Sequence, residues 1–313
     1  MKTHHLISIP KSYILTSVIT LSITSSCFAQ TDFDSIKSTI ESGDYKTALE
    51  QLVPLAEAGN AKAQNYLGNM YGEGLGVKQD YKEALKWYLK AADQGFADAQ
   101  YELGIIYTNG LGVEQDYAEG LRWLRSASKN GHSEAQSHLG QMYYNGIGIE
   151  QDYAEALKWW HKAAKQGYAT AQFNIGTMYQ EGKGVEQNYA EALKWFHMAA
   201  EQADPNAQNR IGNSYMQGLG VKQDSTEAIK WYLKAAEQGF ALAQNNLADT
   251  YFFGLGIQRD LIKAYAWYGL AIAGGIYPAR TKRIEIESEL KPEQLKEALK
   301  LARELRDNVT KYK

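Results

Sequence analysis

One block constrains this chain more than anything else in it: GNAKAQNYLGNMYGEGLGVKQDYKEALKWYLKAADQ, from Gly59 to Gln94. It returns at Gly95, Gly131, Gly167, Ala203 and Gly239, each time 36 residues on, giving copies at 59–94, 95–130, 131–166, 167–202, 203–238 and 239–274. Self-similarity at a fixed period of this length marks stacked supersecondary units, none of which can bury its apolar face alone. The reading is an all-α solenoid of helix-turn-helix repeats.

Within a copy, Ala63, Leu67 and Tyr71 fall at i, i+4 and i+8, which predicts a first helix over about Ala61 to Gly72. Gly74-Leu75-Gly76-Val77 then breaks it, because two glycines free the backbone for positive φ. Asp80 followed by Glu83 predicts a capping box at the start of a second helix, and the pair returns as Asp116/Glu119, Asp152/Glu155, Asn188/Glu191 and Asp224/Glu227. Ala84, Trp87 and Ala91 recur at i, i+3 and i+7, so the tryptophan is expected to face the core. Gly68, Gly104, Gly140, Gly176 and Gly212 sit inside first helices, where glycine costs roughly 1 kcal/mol relative to alanine. Such repetition predicts a packing reason, with the ring of Trp87 approaching the bare backbone.

The composite pattern A-x-x-x-L-G-x-x-Y-x-x-G-x-G-V-x-x-D-x-x-E-A-x-x-W-x-x-x-A-A resembles the Sel1-like repeat, a relative of the tetratricopeptide repeat. The resemblance covers about Asp44 to Gly275. It implies a right-handed superhelix of helix pairs acting as a non-enzymatic adaptor between proteins. It also implies an exported bacterial protein of the cell envelope or of host interaction.

Residues 1–29 carry Lys2 and Lys11, an apolar stretch from Tyr13 to Ile23, and Cys27-Phe28-Ala29. A charged start, a short apolar core and small residues before a cut read as a secretory signal peptide cleaved after Ala29. Cys27 is the only cysteine. Thr24-Ser25-Ser26-Cys27 also loosely resembles a lipobox, so lipid anchoring through Cys27 is the alternative, and release outside the cell is another. Under simple cleavage the mature chain has no disulfide, no transmembrane segment and a periplasmic location. Removing Lys2 and Lys11 deepens the formal net charge below −3. With no basic block, the footprint of a nucleic-acid binder is missing.

Residues 30–58 read as an N-terminal capping helix pair, since Asp44-Tyr45-Lys46-Thr47-Ala48-Leu49 matches Asp80-Tyr81-Lys82-Glu83-Ala84-Leu85 at the same offset. Phe33 to Glu41 would be its first helix, and Pro54 lies in its second. Ala203-Asp204-Pro205 replaces the usual Gly-aromatic opening, with Asp204 as cap and Pro205 as an early helical residue. Residues 275–313 read as C-terminal capping helices, about Ala279 to Leu290 and Pro292 to Asn308.

Positions that vary between copies mark a candidate binding stripe on the first helices, at i, i+4 and i+7. Its residues are Asn65, Tyr101, Ile105, Gln141, Tyr144, Phe173, Thr177, Gln180, Asn209, Met216, Asn245 and Phe252. In solenoids of this kind the first helices line the concave side, and the mixture of aromatics and amides suits a protein interface better than catalysis. The expected partner is a protein, such as an envelope or cell-wall enzyme or a host protein.

No cofactor, metal or catalytic residue is assigned. His161 and His197 occupy equivalent surface positions without further ligands at zinc spacing. The Gly-Leu-Gly-Val turns lack the Lys-Ser/Thr of a phosphate loop. Ser126-Ala127-Ser128-Lys129 has the S-x-x-K spacing of penicillin-recognising enzymes but lacks their companion motifs. A β-lactamase-like or other cell-wall-directed hydrolase, or a regulator of a cell-wall enzyme, stands as the alternative function.

Overall fold

The computed structural model describes residues 33–310, among which there are 16 helices and no strand. The signal peptide and Cys27 lie outside the described residues. The chain divides into two compact units, with the boundary between Asn130 and Gly131.

The first unit opens with α1 (33–41) and α2 (Tyr45–Glu57), the expected capping pair. It continues with α3 (Ala61–Glu73) and α4 (Tyr81–Asp93), then α5 (Ala97–Asn109) and α6 (Tyr117–Lys129). Phe33, Ile36, Leu52, Leu67 and Met70 form one buried cluster, so the capping pair covers the apolar face of the first repeat. The second unit holds α7 (Ser133–Asn145), α8 (Tyr153–Lys165), α9 (Ala169–Glu181), α10 (Tyr189–Ala200), α11 (Pro205–Gln217), α12 (Ser225–Glu237), α13 (Ala241–Phe253) and α14 (Leu261–Ala273). It closes with α15 (Ala279–Glu289) and α16 (Pro292–Thr310), which pack on α14 and bury Ile286 and Ala298 in its core.

The turn between paired helices is closed by backbone bonds. Gly74 adopts φ 75° as the left-handed cap of α3, and its N–H donates to the Met70 carbonyl. The N–H of Asp80 donates to the Tyr71 carbonyl at 2.8 Å, and equivalent bonds recur to Tyr107, Tyr143, Tyr179, Tyr215 and Tyr251. This corrects the expected capping box. Asp80 accepts from the Lys82 and Glu83 N–H groups, but its own N–H is already engaged, and Glu83 turns outward to Lys86 at 2.6 Å.

Trp123 of α6 and Trp267 of α14 are buried as expected, but on α4, α8, α10 and α12 the core position differs from expectation by one residue. Ala84 and Ala91 are fully buried, yet Trp87 is only half-buried while Tyr88 is 4 % exposed. At about 100° per residue, positions 87 and 88 straddle the Ala84–Ala91 line almost equally. The glycine notch on the facing helix decides between them. A Cβ at Gly68 would come within 2.6 Å of the Tyr88 ring, and Gly104, Gly140, Gly176 and Gly212 meet Leu124, Trp160, Phe196 and Tyr232 in the same way. Trp87, Trp159 and Trp231 instead lie under Lys90, Lys162 and Lys234, each ammonium 3.8–3.9 Å from the ring centroid.

A glutamine staples neighbouring repeats together. Gln64, Gln100, Gln136, Gln172, Gln208 and Gln244 are all buried on first helices. The side-chain N–H of Gln64 donates to the Ala56 carbonyl of the preceding helix at 3.0 Å; Gln100, Gln172 and Gln244 do the same to Ala92, Ala164 and Ala236. Its carbonyl accepts from the amide that caps its own repeat, as Gln94 donates to Gln64 at 2.8 Å and Gln166 to Gln136 at 2.9 Å. Gln64, Gln100 and Gln172 are thus satisfied from both sides, as burial of such a group demands.

Candidate partner-binding face

The twelve residues of the varying stripe are buried or half-buried, and Asn65, Asn209 and Phe252 belong to the core. Much of the variation reflects packing within a repeat. Where the second helix supplies Tyr88 or Tyr232, its hydroxyl donates to Asn69 or Asn213 at 2.8 Å; Tyr268 donates likewise to Asp249. The other repeats supply Leu124, Trp160 and Phe196. There the facing residues are Ile105, Gln141 and Thr177, and Thr177 returns its hydroxyl to the Phe173 carbonyl. Tyr144 packs on Trp160 with ring centroids 5.5 Å apart, Phe173 on Phe196 at 5.7 Å, and Phe252 on Tyr268 at 6.2 Å. Tyr101 is half-buried, as are Met216 and Asn245, and Asn245 donates to Asp249 at 3.1 Å. Gln180 is half-buried with its side-chain oxygen enclosed.

The open row shares the site of Asn213 and Asp249 with the stripe and otherwise lies one residue further on, beginning a turn earlier. Helical side chains lean toward the N-terminus, so the surface above a given Cα is covered by a residue slightly C-terminal to it. On α11 this row is Asn206, Arg210, Asn213 and Gln217, and on α13 it is Leu242, Asn246, Asp249 and Phe253. Leu242 is 50 % exposed and Phe253 56 %. Between α9, α11 and α13 a hollow of about 280 Å³ is lined by Phe173, Asn206, Arg210, Asn213, Leu242 and Asn246, with Phe240 behind. Asn246 donates to Asn209 at 2.9 Å and to Asn213 at 3.3 Å, so the amides are pre-arranged across neighbouring helices. Leu242 stands where Lys62, Asp98, Glu134, Thr170 and Asn206 stand in other copies, and that contrast was the available signal for it.

Elsewhere the same face carries Tyr144, whose hydroxyl accepts from Lys183 at 2.8 Å and donates to Glu181 at 3.2 Å. Hydrogen bonds to Glu181 and Tyr144 raise the Lys183 pKa above the usual lysine range.

His161 and His197 are half-buried rather than on the open surface, edge-on to Trp195 and Trp231 with centroids 5.2 Å apart. Burial depresses both imidazole pKa values. Among the described residues no group of three or more His, Cys, Asp or Glu side chains is placed to hold a metal. Ser126 and Lys129 sit in the last turn of α6, where the Ser126 carbonyl caps the helix by accepting from the Asn130 N–H.

Helix pairs joined by glycine turns and stapled to their neighbours define an α-solenoid of the tetratricopeptide-like kind. The chain belongs to the Sel1 repeat family, with repeats matched at residues 61–96, 97–132, 133–168, 169–204, 205–240 and 241–276. It is similar to a Sel1 repeat protein from Oxalobacter formigenes, at 34 % identity over 77 % of this chain and 96 % of the other, with a TM-score of 0.70. It is also similar to c5321, a protective antigen of uropathogenic Escherichia coli with an SLR fold, at 30 % identity over 84 % of this chain and 72 % of the other, with a TM-score of 0.36. No curated protein matches the chain. Sel1 repeat proteins are generally scaffolds for protein–protein interaction, and the fold is typically non-enzymatic. No helix among the described residues is long and apolar enough to cross a membrane.

Proposed function

We propose that this chain is a non-enzymatic scaffold that holds a protein partner on the open row of α11 and α13. One observation carries the reading: two large apolar side chains, Leu242 and Phe253, stand exposed on a row whose other positions are amides and charges. Apolar anchors surrounded by amides that can complete hydrogen bonds are the make-up of a protein interface. The export pattern of residues 1–29 supports a bacterial envelope location, periplasmic in the first instance, with a partner in the envelope.

The test is in-cell crosslinking of the tagged full-length chain followed by mass spectrometry, beside an Arg210→Glu/Leu242→Glu variant. Both changes lie on the open row, so helicity and melting should match the wild type. A species captured by the wild type and lost in the variant is expected. Equal capture by both, or none by the wild type, overturns the reading. Release of the chain by osmotic shock tests the location separately.

A further inference from the structure

The sixth repeat breaks the pattern of the other five at two places that open onto one cavity. Gly269 replaces Leu89, Arg125, His161, His197 and Leu233 of the earlier copies. Gly274 replaces Gln94, Asn130, Gln166, Gln202 and Gln238, the amides that elsewhere cap the repeat and donate to the stapling glutamine. Both glycines line a solvent-open cavity of about 400 Å³ bordered by α13, α14, α15 and α16, and the buried side chain of Gln244 borders it without that amide beside it.

What replaces the lost side chains is cationic. Arg283 of α15, with Arg303 and Arg306 of α16, converges on this space. The Arg283 guanidinium packs over Gly269, where a Cβ would meet it at 3.6 Å, and over the Tyr265 ring at 4.2 Å. Its Nε is buried with no hydrogen-bond partner among the described residues. A buried, unpaired donor on a permanent cation is costly unless something completes it. The remaining wall is apolar, from Leu270, Leu299, Ala302 and Val309. The volume lies within the range of small-molecule sites, about 300–1,000 Å³.

We infer that the cavity between the sixth repeat and the capping helices is a binding site for a small amphiphilic anion. A single carboxylate or phosphate would be held by Arg283, Arg303 and Arg306, with a short apolar tail against Leu270, Leu299 and Val309. Arginine suits either head group because its planar fork can donate two parallel hydrogen bonds. The site is separate from the open row of first helices and stands or falls independently of it.

The test is isothermal titration of the full-length chain with decanoate, decyl phosphate, decanol and inorganic phosphate. Decanoate or decyl phosphate should bind saturably at one site, and the stronger of the two identifies the head group. Decanol and inorganic phosphate should bind at least about tenfold more weakly, a difference of one decade in Kd. Arg303→Gln/Arg306→Gln, two exposed changes, should weaken the anion by about tenfold or more. Gly269→Leu, which restores the side chain of two earlier copies, should abolish it. The inference fails if neither amphiphile saturates, if decanol or inorganic phosphate binds as well as the amphiphiles, or if the arginine double variant binds unchanged.

Discussion

Trp160 occupies the space that a side chain at Gly140 would need: a Cβ there would come within 2.6 Å of the indole Cδ1 and Nε1. Alanine at Gly140 should therefore destabilise the chain despite a gain of about 1 kcal/mol in helix propensity, because overpacking a closed core costs about 1–3 kcal/mol. Gly104→Ala meets the more adaptable Leu124 at the same distance and should lose less. Urea denaturation of the two variants gives the order; a larger loss at Gly104 would contradict this account of the notch.

The neighbouring tryptophans should behave unequally. Trp160 is 2 % exposed and donates to the Ser137 carbonyl at 3.0 Å, whereas Trp159 is half-buried under Lys162. Trp160→Ala should cost about 3–5 kcal/mol as a large-to-small change in a core. Trp159→Ala should cost clearly less, measured by the same denaturation curves.

Ala203 is the one non-glycine residue with positive φ among the described residues, at 63°. It holds the place of Gly59, Gly95, Gly131, Gly167 and Gly239. A left-handed conformation costs an L-residue about 1–2 kcal/mol, so Ala203→Gly should raise stability by roughly 1 kcal/mol, less the added entropy of the unfolded chain. A lowered melting temperature would show that the strain is relieved elsewhere.

Tyr232 and Asn213 should be energetically coupled. Tyr232→Phe leaves the Asn213 carbonyl without that donor, and Asn213→Ala leaves a largely buried hydroxyl unpaired. Each single change should cost about 1 kcal/mol or more, and the double change less than their sum. Strict additivity would remove the hydrogen bond from the account of why these positions vary together.

Stability should fall on mild acidification. Burial is the main cause lowering the pKa of His161 and His197; Lys165 adds to it at His161, while at His197 Glu201 opposes it by more than Lys234 adds. Burial alone is the cause at His138. The unfolded imidazoles take up protons near pH 6.5, about their ordinary value, before the folded ones do. These groups should therefore leave stability flat above about pH 7 and reduce it as pH falls through that value toward the folded pKa values. Melting temperatures from pH 8 to pH 5 should show this slope, and His161→Phe/His197→Phe should flatten it.

The period, the turns and the helix pairs were legible because glycine pairs and recurring alanines act locally. What escaped was decided between helices. Gln64 and its counterparts are polar residues in a core, and only the facing carbonyl and amide make that position tolerable. Trp87 and Tyr88 are equivalent by helical angle, and the facing glycine separates them. Leu242 and Phe253 are exposed outside the stripe of varying positions, because side-chain lean shifts the accessible row away from the Cα positions. The Arg283 cavity needed the capping helices in place before Gly269 and Gly274 could be seen as openings.

The glutamine staple has a consequence for how such arrays lengthen. Gln64, Gln100 and Gln172 each draw an acceptor from the helix before and a donor from their own repeat. A whole copy added by duplication brings both partners with it, while an addition of any fractional length strands a buried donor at the seam. Addition in complete units of one helix pair is therefore the course that keeps these bonds intact.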